Sequence, residues 1–166
     1  MMRSEVTIDR ATLDDLDGIM QLQMENQPER GGNLAASFTQ SQISQMIENR
    51  PLIIARRNGQ VIAFLMNSDQ NMNQSAPIVQ AMFRAYKANP KAYVYGPICV
   101  QEEERGNGLA QAMFNTLRSF EPGRECVLFI RRDNRASLRA HEKMGMHQKA
   151  EFSFAGVDYV VLSFIG

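Results

Sequence analysis

Tryptophan is absent from this 166-residue chain, and cysteine occurs only twice, at Cys99 and Cys126. Two cysteines cannot build a disulfide framework, and these two lack the clustered spacing of a metal site. Both are therefore expected as reduced thiols, with no metal. A surplus of charge is also lacking: eighteen Lys and Arg balance eighteen Asp and Glu. With no net field to draw in nucleic acid or an anionic membrane surface, neither is expected as a partner. No stretch reaches the roughly 20 apolar residues that span a bilayer. The start, Met1-Met2-Arg3-Ser4-Glu5, has no apolar leader core, so a cytoplasmic location is expected. Repeats, low-complexity tracts and linkers are missing too, which favours one domain over residues 1–166.

What is present is enough apolar material for a sizeable core: 44% of residues are hydrophobic, and eleven are methionine. Val6-Thr7-Ile8-Asp9-Arg10 alternates as a half-buried strand does. Thr12 reads as the N-cap of a helix that carries Leu13, Leu16, Ile19 and Met20, and the polar run 28–33 ends it. A second helix is expected from about Thr39 to Asn49, with Ile43, Met46 and Ile47 inward. Two strands, at 52–55 and 61–66, flank Asn58-Gly59, a strong hairpin signal. Asn67 to Ser75 reads as a polar mobile loop, followed by an inserted helix from Pro77 to about Ala88.

The next strand, Tyr93 to Val100, is interrupted by Gly96-Pro97, which predicts a bulge or bend. A helix follows from Gly108 to Phe120, then the continuous apolar strand Cys126 to Ile130. A helix opening at Asn134 runs to about Met144, where Gly145 suits a C-cap. Two closing strands turn at Gly156. The order β-α-α-β-β-α-β-α-β-α-β-β predicts one mixed α/β domain.

The segment with the most chemical content is Arg105-Gly106-Asn107-Gly108-Leu109-Ala110, between a strand and a helix. Two glycines let the backbone approach an anion closely. The unpaired amides and positive end of the following helix favour negative charge there. Arg105 can add a charge-assisted contact. A dinucleotide fold would need a third glycine where Gln111 stands, and a P-loop would need Lys where Leu109 stands; both nucleotide readings are poor.

Arg105-x-x-Gly108-x-Ala110 resembles the Gln/Arg-x-x-Gly-x-Gly/Ala signature of the GNAT superfamily of N-acetyltransferases. A second block, from Asn134-Arg135-Ala136-Ser137 to His141 and Gly145-Met146, resembles that family's Asn-x-x-(Ala/Ser)-x-x-x-Tyr-x-x-x-Gly-Phe helix, and the element order agrees over nearly the whole chain. The resemblance implies a central mixed sheet of about seven strands flanked by helices, with a splayed strand before the loop. It also implies acetyl transfer from acetyl-CoA to a primary amine of a small molecule or peptide. The pyrophosphate would rest on the amides of Arg105, Gly106, Asn107, Gly108, Leu109 and Ala110. The pantetheine arm would pair with the backbone of Ile98, Cys99 and Val100, and Asn134 would bond the arm or cap its helix. Homodimers are compatible with the family, but nothing in the sequence specifies an interface.

Two departures bear on chemistry. The family's thiolate-protonating Tyr is replaced by His141, whose imidazole can also donate a proton. Tyr93, Tyr95 and Tyr159 are rival donors. No carboxylate lies between Tyr93 and Val100, so Glu25, near the end of the first helix, is the candidate base; Glu102, Glu103 and Glu104 read as a solvated charged turn. These gaps leave a second reading open, an acyl-CoA-binding regulatory domain that has lost turnover. Cys99 invites a covalent route, but no His or Lys adjoins it to lower its pKa, so direct attack by the amine is favoured.

Overall fold

A computed structural model describes residues 5–27 and 37–165. The run 28–33, expected as the loop ending the first helix, lies outside the described residues. The elements are β1 (Val6–Arg10), α1 (Leu16–Glu25), α2 (Gln40–Asn49), β2 (Ile53–Arg57), β3 (Gln60–Asp69), α3 (Pro77–Ala85), β4 (Tyr93–Val100), α4 (Leu109–Phe120), β5 (Glu125–Arg131), α5 (Arg135–Lys143), β6 (His147–Phe154) and β7 (Val157–Ile165). The strands form one mixed sheet in the order β1-β2-β3-β4-β5-β7-β6. The β4–β5 pair is parallel; β1–β2, β2–β3, β5–β7 and β6–β7 are antiparallel. By contact density the chain divides into two compact units, Met1–Asn67 with Gly96–Phe120, and Ser68–Tyr95 with Glu121–Gly166.

In the first unit, Asn58 and Gly59 both take positive φ, +54° and +75°, as a two-residue hairpin turn between β2 and β3 demands. The buried faces of α1 and α2 (Ile19, Leu22, Ile43, Met46 and Ile47) pack with Leu52, Ile54, Phe64, Met66 and Cys99 in one core cluster. Gly18 lets α1 approach the sheet, because a Cβ there would lie 2.8 Å from Val61 Cγ2. Thr39 caps α2 by accepting the Gln42 N–H at 3.1 Å. The expected loop from Asn67 begins later than the sequence suggests. β3 continues to Asp69, and Asn67 is fully buried: it accepts Arg50 Nε at 2.8 Å and donates to the Pro51 carbonyl at 3.0 Å. An amide with both ends bonded can be buried at little net cost, which hydropathy alone does not reveal.

In the second unit the rest of that polar stretch forms a 3₁₀ turn, Gln70–Asn73. Asn73 ties it down by donating to Ser68 Oγ and the Asp69 carbonyl, and Gln70 donates to the Ala92 carbonyl at 2.9 Å. Val79 and Met82 of α3 join Val94, Val127 and Val161 in a core cluster. The carboxylate of Glu125 is buried and accepts from Tyr86 Oη (2.6 Å), Ser163 Oγ (2.6 Å) and the Asn89 N–H (2.8 Å). The parallel ladder pairs Tyr93 with Cys126 and Val94 with Val127. Gly96, at φ +104°, and Pro97 follow those pairs along β4, where the sequence predicts a bend.

Candidate active site

The glycine loop, Arg105 to Ala110, lies wholly within the first unit. Just past the end of β4, Gln101 N–H donates to the Ile62 carbonyl at 2.8 Å, and a 3₁₀ turn, Glu102–Glu104, follows. Glu102 and Glu103 are exposed as expected, but Glu104 is not part of a solvated turn: it is buried and accepts Arg57 Nε and Nη2 at 2.8 and 2.9 Å. That paired hydrogen bond pushes the Arg57 guanidinium above its ordinary pKa. A forked Arg–carboxylate pair has a defined geometry, so it fixes the chain just before the glycines.

Gly106 and Gly108 sit at φ +80° and +78°, and a Cβ at either position would meet no heavy atom within 4 Å. Glycine is required here for backbone conformation and open approach, not to make room for a packed neighbour. The first helical bond of α4 runs from Ala112 N to Gly108 O at 3.0 Å. The amides of Leu109, Ala110 and Gln111 therefore precede the helical ladder at the positive end of a twelve-residue helix. This is the geometry of a phosphate cradle.

Arg105 is exposed and moored at both ends of its fork: Nε donates to the Val100 carbonyl at 3.0 Å and Nη2 to Asn26 Oδ1 at 3.1 Å. Asn26 is buried and donates to the Leu22 carbonyl, so the end of α1 and the loop hold one another. Ile98 and Val100 on β4 are half-buried and Cys99 is buried. Desolvation pushes the Cys99 thiol up to about 11; the Arg105 charge opposes this rise and the Glu25 charge adds to it. Both charges therefore act at Cys99, although Glu25 is far from it in sequence. Glu25 is exposed and accepts a hydrogen bond from Gln21 at 2.7 Å. Gln23, buried on the same helix, clasps both the N–H and the carbonyl of Phe38, which fixes the chain beyond the undescribed run.

Asn134 and His141 belong to the second unit. Asn134 caps α5 by accepting the Ser137 N–H at 3.2 Å. His141, two turns further on, is buried. Its Nδ1 lies 2.7 Å from the Ser137 carbonyl oxygen, which can only accept, so Nδ1 carries a hydrogen. Its Nε2 lies 3.0 Å from Tyr95 Oη, and the two rings meet edge to face at 88°. Burial pushes the imidazole below its ordinary pKa, so the neutral form prevails near neutral pH, with a lone pair on Nε2 that accepts the Tyr95 hydroxyl hydrogen. No sequence signal links Tyr95 with His141, or Arg57 with Glu104; both contacts come from elements distant along the chain.

A family model described as the acetyltransferase (GNAT) family matches residues 16–146. The chain belongs to that family. The match takes in α1, the glycine loop and α5 through Met146. No curated protein matches the sequence. Among solved structures, a GNAT-family acetyltransferase from Streptococcus agalactiae is similar at 17% identity with a TM-score of 0.73, covering 100% of this chain and 98% of its own. The protein yncA from Salmonella typhimurium, solved with its cofactor acetyl-CoA, is similar at 18% identity and a TM-score of 0.73, with 98% and 94% covered. The ribosomal-protein-S18-alanine N-acetyltransferase from Escherichia coli is similar at 14% identity and a TM-score of 0.68, with 97% and 94% covered. Likeness at these identities establishes a shared GNAT fold. Against that family pattern, His141 stands at the motif's tyrosine position, bonded to the hydroxyl of a tyrosine from β4.

Proposed function

We propose that the whole chain is one catalytic domain that transfers an acetyl group from acetyl-CoA to the primary amine of a small molecule or peptide, by direct attack of the amine on the thioester. The observation that carries this reading is the cradle at the start of α4, where Gly106 and Gly108 hold positive φ just before the first turn of the helix. The pyrophosphate would lie on residues 105–110. Arg105 would either turn to meet it or keep Asn26 in place. The backbone of Ile98, Cys99 and Val100 would receive the pantetheine arm as an added strand, and Asn134 would hold the arm while capping α5. A solved relative of the same fold is described with acetyl-CoA, which supports this choice of donor.

Direct attack is favoured by the state of Cys99. A thiol pushed up to about 11 is overwhelmingly protonated at neutral pH and is a poor nucleophile. Glu25, whose charge acts on Cys99, is the carboxylate proposed to attract the protonated amine and take its ammonium proton. His141 is proposed to supply the proton that the leaving sulfur needs. The test is incubation with acetyl-CoA and a pooled panel of amines and peptide N-termini, followed by mass spectrometry and free-thiol assay. Acetylated product with one thiol released per product supports the reading. Acetyl-CoA binding without product would instead favour a regulatory domain.

A further inference from the structure

Arg105 opens the glycine loop and Asn26 ends α1; both belong to the first unit, 79 residues apart along the chain. Asn26 is 8% exposed, and its Nδ2 donates to the Leu22 carbonyl at 2.9 Å. A backbone carbonyl only accepts, so the amide has one orientation, with Oδ1 as the end that meets Arg105. The amide is therefore a fixed acceptor and does not follow the arginine. Arg105 Nε donates to the Val100 carbonyl at 3.0 Å and Nη2 to Asn26 Oδ1 at 3.1 Å. Those two nitrogens share one edge of the planar guanidinium, and among the described residues Nη1 has no hydrogen-bond partner. Arg56, Arg57, Arg124 and Arg131 each pair with a carboxylate. Arg105 differs: its partners are a carbonyl and an amide, which order the side chain without cancelling its charge.

We infer that Asn26 is a positioning residue for acetyl-CoA: it holds the Nε–Nη2 edge of Arg105, so that the Nη1 end is ready for the diphosphate before the cofactor arrives. This rests on the acetyl-transfer reading above. An exposed arginine ordinarily gives up much of its rotamer freedom when it binds a phosphate, and that loss subtracts from affinity. Here most of the loss is taken on folding, because the Val100 carbonyl and the Asn26 amide already hold the guanidinium. Arg105 keeps this tether when the diphosphate binds, and uses the donors the tether leaves over. Asn26 touches neither the cofactor nor the reacting atoms; it acts through Arg105.

Calorimetry with acetyl-CoA compares the wild-type protein with Asn26→Ala, Arg105→Ala and the double variant. Asn26→Ala is expected to weaken binding about three- to tenfold, the effect of having to order a freed arginine. Arg105→Ala should weaken it further, because the charge goes as well. The double variant should match Arg105→Ala within about twofold, since Asn26 acts only through Arg105. A role confined to supporting α1 would weaken binding by the same factor in either background. Losses that multiply in the double variant therefore overturn the positioning role, as does wild-type affinity in Asn26→Ala. Should Asn26→Ala fold poorly, the wild-type protein decides the matter through the Arg105 Nε–H resonance in heteronuclear NMR, assigned by its loss in Arg105→Ala. That hydrogen should stay slow to exchange with water when acetyl-CoA is added. Rapid exchange in the complex would mean that the arginine leaves its tether, and would overturn the positioning role alone. Failure of the wild-type protein to bind acetyl-CoA overturns the acetyl-transfer reading and the positioning role with it.

Discussion

At the scale of single residues, burial decides what each reactive group is able to do. Cys99 is on β4, where the pantetheine arm is proposed to lie, yet desolvation outweighs the pull of Arg105 and keeps the thiol protonated. Cys99→Ala should therefore keep kcat within about threefold of wild type, read from thiol release; abolished turnover would restore the covalent route. His141 shows the same cause with another outcome. Its folded pKa lies below that of the unfolded chain, so the unfolded state binds more protons as pH falls through the histidine range. Stability is then greatest above the ordinary value of 6.5 and decreases as pH drops from there toward the folded value. Thermal melts at stepped pH should show that loss in wild type and less of it in His141→Gln. Parallel curves for the two proteins would mean that His141 is not the group responsible.

At the scale of elements, the sequence and the structure agree where periodicity is strong and diverge where polar side chains are bonded locally. Ile43, Met46 and Ile47 fall inward on α2 as their spacing predicts, and Asn58-Gly59 makes the turn its conformational freedom suits. The run from Asn67 is expected as a loop because Asn and Gln are polar. Instead Arg50, Pro51 and Ser68 supply partners, extending β3 and then closing a 3₁₀ turn. Glu104 departs from the sequence expectation for the same reason: its partner, Arg57, is on β2, far from it along the chain. The pair positions the glycine loop. Glu104→Gln keeps the shape but removes the charge and leaves Arg57 less well paired, which should cost roughly 1–3 kcal/mol of stability and weaken acetyl-CoA binding. Denaturant melts and calorimetry check the two effects; unaltered affinity would show that the loop does not depend on this anchor.

At the scale of the whole molecule, the order of strands within the sheet is not legible in the sequence, but the glycine loop, the α5 motif and the order of elements along the chain are. Each depends on local backbone demands: positive φ at Gly106 and Gly108, a cap at Asn134, and alternation along the strands. The candidate site was legible only in part. The contact of Tyr95 with His141 is one that only the fold creates. The start of α4 is proposed to hold the diphosphate of acetyl-CoA, and isothermal calorimetry with Gly108→Val tests that placement. Valine strongly disfavours positive φ, and its branched side chain would stand where the anion is proposed to approach. The wild-type protein should bind acetyl-CoA with one site per chain, and the variant at least about tenfold more weakly, a difference of about 1.4 kcal/mol. Equal affinity in two equally folded proteins would mean that the diphosphate does not rest at the start of α4.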